Sequence, residues 1–69
     1  VTTVDIIVNG ETRAVAQGAS LLELLAALDL DPLTVVVEHN RHIVRRPALA
    51  DVRVAAGDAV ELVHFVGGG

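Results

Sequence analysis

Val4, Ile6 and Val8 alternate with Asp5, Ile7 and Asn9, the period-two pattern of a strand with one buried face. Asn9-Gly10 follows, a dipeptide suited to a two-residue hairpin turn. Thr12 to Ala16 then returns as a second strand, with Val15 inward and Arg13 at an edge. Gln17-Gly18-Ala19 breaks the pattern, and the period changes. Leu21, Leu24, Leu25 and Leu28 fall at i, i+3, i+4 and i+7, one stripe of an amphipathic helix. Ser20-Leu21-Leu22-Glu23 reads as its capping box: the serine oxygen accepts from the Glu23 N–H, and the Glu23 side chain reaches back. The helix must end before Pro32, because the residue preceding proline avoids the α region. Asp29 stands where a left-handed residue, ideally glycine, would close it.

The second half returns to period two. Val35 to His39 is a third strand with Val35 and Val37 inward, Asn40-Arg41 a turn, and His42-Ile43-Val44 a short fourth strand. Arg45-Arg46-Pro47 leaves it, and Ala48-Leu49-Ala50 forms a short 3₁₀ or irregular turn that drops Leu49 into the core. Ala56-Gly57-Asp58 is a further turn, and the last strand runs from Ala59 to Phe65 or Val66. One helix packed on one face of a mixed sheet of four to five strands accounts for every apolar stripe. The first hairpin and the last strand can pair in parallel at the centre, with the helix in the crossover. This is an α+β, β-grasp (ubiquitin-like) arrangement, with the domain at residues 1–66 and a glycine tail at 67–69.

Composition narrows the function. With 69 residues the chain is one domain whose small core buries only about 60% of the surface its unfolded form exposes. It has no cysteine, so neither a disulfide nor a zinc–thiolate site supports it. The net charge is −4, which argues against nucleic acid, where a clustered basic face is expected. A single aromatic residue, Phe65, offers no base-stacking platform. The apolar stretches fall short of a membrane span, and no charged-then-apolar leader opens the chain. A cytoplasmic protein without membrane or nucleic-acid partners is the expectation.

Gly67-Gly68-Gly69 directly follows the last strand. Glycine loses the most entropy on ordering and usually serves turns that need positive φ; this triplet makes none. It forms a thin arm with a carboxylate at its tip, which points to chemistry on that carboxylate inside another protein's narrow cleft. The residues from Val66 to Gly69 reach roughly 13 Å when extended. A second candidate is a surface. By alternation Glu61, Val63 and Phe65 face away from the helix, as do Val36 and Glu38 of the third strand. An exposed Phe beside Val, ringed by carboxylates, fits a partner-binding patch. Arg45 and Arg46 read as a solvated pair, and His64 as a polar residue at the sheet's end. His39 and His42 read as turn residues, since a third metal ligand is not in view. No set of side chains has a persuasive catalytic context.

Asn9-Gly10-Glu11 after the first strand, Gly57-Asp58 before the last, Val60-Glu61-Leu62-Val63 within it and the final Gly68-Gly69 together resemble the ThiS family of sulfur carriers, over nearly the whole chain. The resemblance implies a co-substrate rather than an enzyme. An E1-like adenylyltransferase (ThiF-like) would activate the Gly69 carboxylate with ATP. A sulfur donor such as a cysteine desulfurase would supply the sulfur, and thiazole synthase (ThiG-like) would use the resulting thiocarboxylate to make the thiazole of thiamine. Gly69 is then the residue modified, with Gly68 and Gly67 in the recognised arm. The chain has neither a Gly-rich phosphate loop nor a lysine, so the expectation is that it binds no cofactor of its own and the partner holds ATP. A molybdopterin-synthase small subunit, a ubiquitin-like protein modifier and a passive interaction domain are the other readings.

Overall fold

A computed structural model describes residues 2–64. In chain order these form β1 (Thr3–Val8), β2 (Glu11–Ala16), α1 (Leu21–Ala27), a 3₁₀ turn (Pro32–Thr34), β3 (Val35–His39), β4 (His42–Val44), a second 3₁₀ turn (Arg46–Ala48) and β5 (Ala59–His64). The five strands make one sheet in the order β2-β1-β5-β3-β4. β1 and β5 are parallel, with Ile7 opposite Ala59 and Val8 opposite Val60; the other three pairings are antiparallel. The expected β-grasp is therefore the fold.

Local sequence explains each boundary. The hairpin between β1 and β2 turns on Asn9 (φ 49°) and Gly10 (φ 83°), the left-handed pair that matches the twist of the strands it joins. The helix starts in the expected box: the Ser20 hydroxyl accepts from the Glu23 N–H at 3.0 Å, and the Glu23 carboxylate accepts from the Ser20 N–H at 2.8 Å. It is only seven residues long. Asp29 does take up the left-handed conformation, at φ 61°, and Leu30 N–H closes the end on the Leu25 carbonyl at 2.9 Å. The second 3₁₀ turn lies at Arg46–Ala48 rather than 48–50, because Pro47 supplies the fixed φ that such a turn's start favours. Leu49, which follows it, is buried as expected.

The core lies between α1 and the inner sheet face: Ile6 and Val8 from β1, Leu21, Leu24 and Leu25 from the helix, Val35 and Val37 from β3, Val60 and Leu62 from β5. Leu49 and Val54 close it from the connections. Val54 belongs to an extended segment absent from the expectations above. Val54 N–H donates to the Ala19 carbonyl at 2.9 Å and Leu21 N–H to the Val52 carbonyl at 2.9 Å, which straps this connection across the helix start. No helix among the described residues is long and apolar enough to cross a membrane.

Candidate functional site

β5 organises the candidate site. It occupies the middle of the sheet, and its last described residue, His64, sits opposite Val35, the first residue of β3. β5 therefore finishes at the end of the sheet where β3 begins. Gly67, Gly68 and Gly69, and with them Phe65 of the proposed patch, lie outside the described residues. His64 is exposed, at the sheet's end as expected. It borders a groove of about 230 Å³ shared with Asn9, Arg13, Leu28, Leu30 and Leu62.

Two asparagines hold β5 from opposite sides. Asn9, just past β1, accepts from the Leu62 N–H through Oδ1 at 2.7 Å and donates through Nδ2 to the Leu62 carbonyl at 3.2 Å. Asn40, just past β3, accepts from the Ala59 N–H at 2.9 Å, while its own N–H donates to the Ala59 carbonyl at 2.8 Å. Both have φ 49°, a left-handed conformation that asparagine tolerates better than most residues. Their sequence signal was already absorbed by the two turns, so the second role of each side chain was not read from it.

Asp58 completes the attachment at the start of β5. Its carboxylate accepts from the Ala55 N–H at 2.8 Å and from Asn40 Nδ2 at 3.3 Å, and lies 2.7 Å from His39 Nε2. Burial pushes this carboxyl up, but the hydrogen bonds from His39, Ala55 and Asn40 outweigh it and hold the pKa below the usual 3.8. The depressed value makes the ionised form part of the folded state. Its stabilisation is complete above the unfolded pKa of about 3.8 and is lost as pH falls through the lower folded value. Urea titrations between pH 6 and pH 2 are expected to show this acid loss in the wild-type protein and a smaller one in Asp58→Asn, whose stability at pH 6 is already reduced. Parallel pH curves for the two proteins would contradict this role. His39 and His42 are register partners, yet His39 turns to Asp58 while His42 Nδ1 lies 3.1 Å from the Asn40 carbonyl.

Among the described residues, Val36, Glu38, Glu61 and Val63 share the outer sheet face. Val36 lies opposite Val63, and Glu38 directly opposite Glu61. Val63 is 60% exposed. Ile43 of β4, opposite Glu38 and 67% exposed, belongs to the same face and was missed, since a three-residue strand fixes no face without its register. Like charges directly opposite across a pair of strands are unfavourable, and neither carboxylate has an ion pair among the described residues. A groove of about 660 Å³ runs along β3, β4 and the second 3₁₀ turn, reaching the core residues Val35, Val37 and Leu49 and bordered by Ile43, Arg45 and Arg46. The two arginines are exposed, as expected.

A five-stranded mixed sheet with one helix across its inner face, a parallel β1–β5 pair at its centre and glycines after β5 defines a ubiquitin-like β-grasp protein. The model of the ThiS family matches residues 6–69. Among curated proteins, the chain is 38% identical over 50 residues to the sulfur carrier protein ThiS of Bacillus subtilis, covering 72% of this chain and 76% of that one. It is 39% identical over 64 residues to the thiazole synthase of Paramagnetospirillum magneticum, covering 93% of this chain but 20% of that protein. The chain thus spans about a fifth of the length of the thiazole synthase it matches. Among solved structures, the crystal structure of the thiamine biosynthesis protein (ThiS) from Geobacter metallireducens superposes with a TM-score of 0.82 at 38% identity, covering 94% of this chain and 99% of that one. The chain belongs to the ThiS family.

Proposed function

We propose that this chain is a sulfur carrier for the thiazole of thiamine, acting as a co-substrate of partner enzymes. The observation that carries the reading is the family match continuing through Gly69, five residues beyond the end of the central strand β5 at His64. A carboxylate is a poor electrophile. An adenylyltransferase of the E1-like class joins the Gly69 carboxylate to the AMP moiety of ATP, with pyrophosphate leaving. Sulfur at the sulfide level, as hydrosulfide, then attacks the acyl carbon; the C–S bond forms as the C–O bond to AMP breaks, AMP leaves, and loss of the sulfur-bound proton gives the thiocarboxylate. The thiocarboxylate is the nucleophile delivered to thiazole synthase, and its tether holds the sulfur at high effective concentration. Likeness to a thiazole synthase over nearly the whole chain supports that enzyme as the acceptor's partner.

The test is intact mass spectrometry on the chain ending at Gly69, after incubation with an adenylyltransferase of this class, ATP and a sulfur source. Replacement of one oxygen by one sulfur, dependent on ATP, is expected. A protein-sized adduct joined with loss of water would overturn the reading in favour of a protein modifier, and an unchanged mass in favour of a passive domain.

The outer face, Val36, Glu38, Glu61 and Val63 with Phe65 beyond the described residues, is the proposed docking surface for the adenylyltransferase. The uncompensated Glu38–Glu61 pair supports a basic side chain on the partner. Glu61→Gln is expected to raise the melting midpoint slightly, by relieving the repulsion, and to weaken binding to the adenylyltransferase several-fold. Binding unchanged in calorimetry would remove this face from the interface.

A further inference from the structure

We propose that Asn9 is a positioning residue whose side-chain amide fixes the orientation of the C-terminal end of β5, Leu62 to His64, relative to β1. The inference rests on the carrier reading for its consequence, but its geometry stands on its own. The sheet divides into β2–β1 on one side and β5–β3–β4 on the other, and the end of β5 at His64 belongs to the second group. Backbone pairing across the dividing seam is short. The β1–β5 register covers only Ile7 with Ala59 and Val8 with Val60. It is flanked by bonds from Ile7 N–H to the Asp58 carbonyl at 2.8 Å and from Asn9 N–H to the Val60 carbonyl at 3.0 Å.

On its other edge β5 is paired with β3 as far as His64, so β5 outruns β1 at its C-terminal end. The chain of β1 cannot follow, because Asn9 and Gly10 turn it back into β2. The Asn9 amide takes the place of the missing strand. It offers Leu62 one acceptor and one donor, at 2.7 and 3.2 Å, as a backbone peptide would. The seam thereby extends to within two positions of His64, the last described residue of β5. Asn40 makes an analogous attachment to Ala59, at the first residue of β5. Of the two, only Asn9 acts near the strand's C-terminal end.

Asn9→Gly deletes the amide while keeping a residue suited to φ 49°, so the hairpin and the fold survive. Asn9→Asp keeps the acceptor for Leu62 N–H but loses the donor to its carbonyl. In Asn9→Gly, which loses both bonds to Leu62, exchange of the Leu62 amide is expected to accelerate at least about tenfold, the equivalent of about one net hydrogen bond, with Asn9→Asp intermediate. The N–H vectors of Val63 and His64, measured by residual dipolar couplings, are expected to lose their fixed orientation relative to β1. In adenylation assays KM for the carrier should rise about 3–10-fold, the ratio by which the aligned population falls, with kcat unchanged. Unaltered Val63 and His64 couplings, or faster exchange with wild-type KM, would overturn the positioning role and leave a merely structural bond. The coupling measurement needs no partner enzyme. If the wild-type chain accepts no sulfur, the carrier reading fails while those couplings still decide the role of Asn9.

Discussion

Replacing Leu25 by alanine is expected to cost about 2–5 kcal/mol, the range for truncating a fully buried leucine. A domain of this length has a total stability of roughly 3–10 kcal/mol, so the substitution removes a large part of it. With about 4–8 °C of melting midpoint per kcal/mol in small domains, the transition should fall by more than about 10 °C in calorimetry or urea titration. The comparison is Leu33→Ala. Leu33 is 58% exposed, and the same change there should stay within about 0.5 kcal/mol. Equal losses at the two sites would mean that the helix does not cover the inner sheet face as described.

The size of that effect follows from how little else holds the helix. Its seven residues are too few for an isolated helix to persist in water. The capping box fixes where it starts, and the strap through Val52 and Val54 holds that end down. Retention of the helix then depends on Leu21, Leu24 and Leu25, all buried against Ile6, Val37, Val60 and neighbours. Leu25 is 1% exposed. The chain has no cysteine, hence no crosslink to restrain the unfolded state when the core is weakened.

Much of this arrangement was legible because its causes are local. Alternation in Val4–Val8 and the leucine stripe in α1 each report one buried face. Ser20 with Glu23, Asn9 with Gly10 and Asp29 each reflect a short-range backbone requirement that few residue types meet. What could not be read depends on partners far away in the chain. Asn9 bonds Leu62, 53 positions on, and its presence in the turn was already explained by φ. Val52 and Val54 alternate with Arg53, but a bridge to Ser20 leaves no mark beyond that brief pattern. The outer face shows the same division. Alternation placed Val36, Glu38, Glu61 and Val63 on one side; only the β3–β5 register put the two carboxylates directly opposite each other. The Asp31-Pro32 pair did carry a local signal for the first 3₁₀ turn, since Asp31 accepts from the Leu33 N–H at 2.9 Å and proline takes the first position.

Adding one residue after Gly69, or removing Gly69, is expected to abolish sulfur acceptance while leaving the melting midpoint unchanged. The two expectations have separate causes. Among the described residues the buried core is drawn from Ile6 to Leu62, seven positions short of Gly69, so a change at position 69 is expected to leave its packing free energy untouched. The proposed reaction depends on the position of one carbon. A peptide unit moves the terminal carboxyl by roughly 3.3–3.6 Å when extended, whereas a misplacement of about 1 Å is enough to cost on the order of 10²-fold in rate. Deletion withdraws the carboxylate from the nucleotide by one unit, and extension pushes it past. In an adenylation assay following pyrophosphate release, both variants should lose at least about 10²-fold in kcat/KM, with melting curves superimposable on the wild type. Gly69→Ala tests the narrowness of the cleft separately: it leaves the carboxyl in register and adds only a Cβ, so a smaller loss is expected. Sulfur accepted at the wild-type rate by the extended chain would show that the reacting group is not the Gly69 carboxyl, and with that the carrier mechanism would fall.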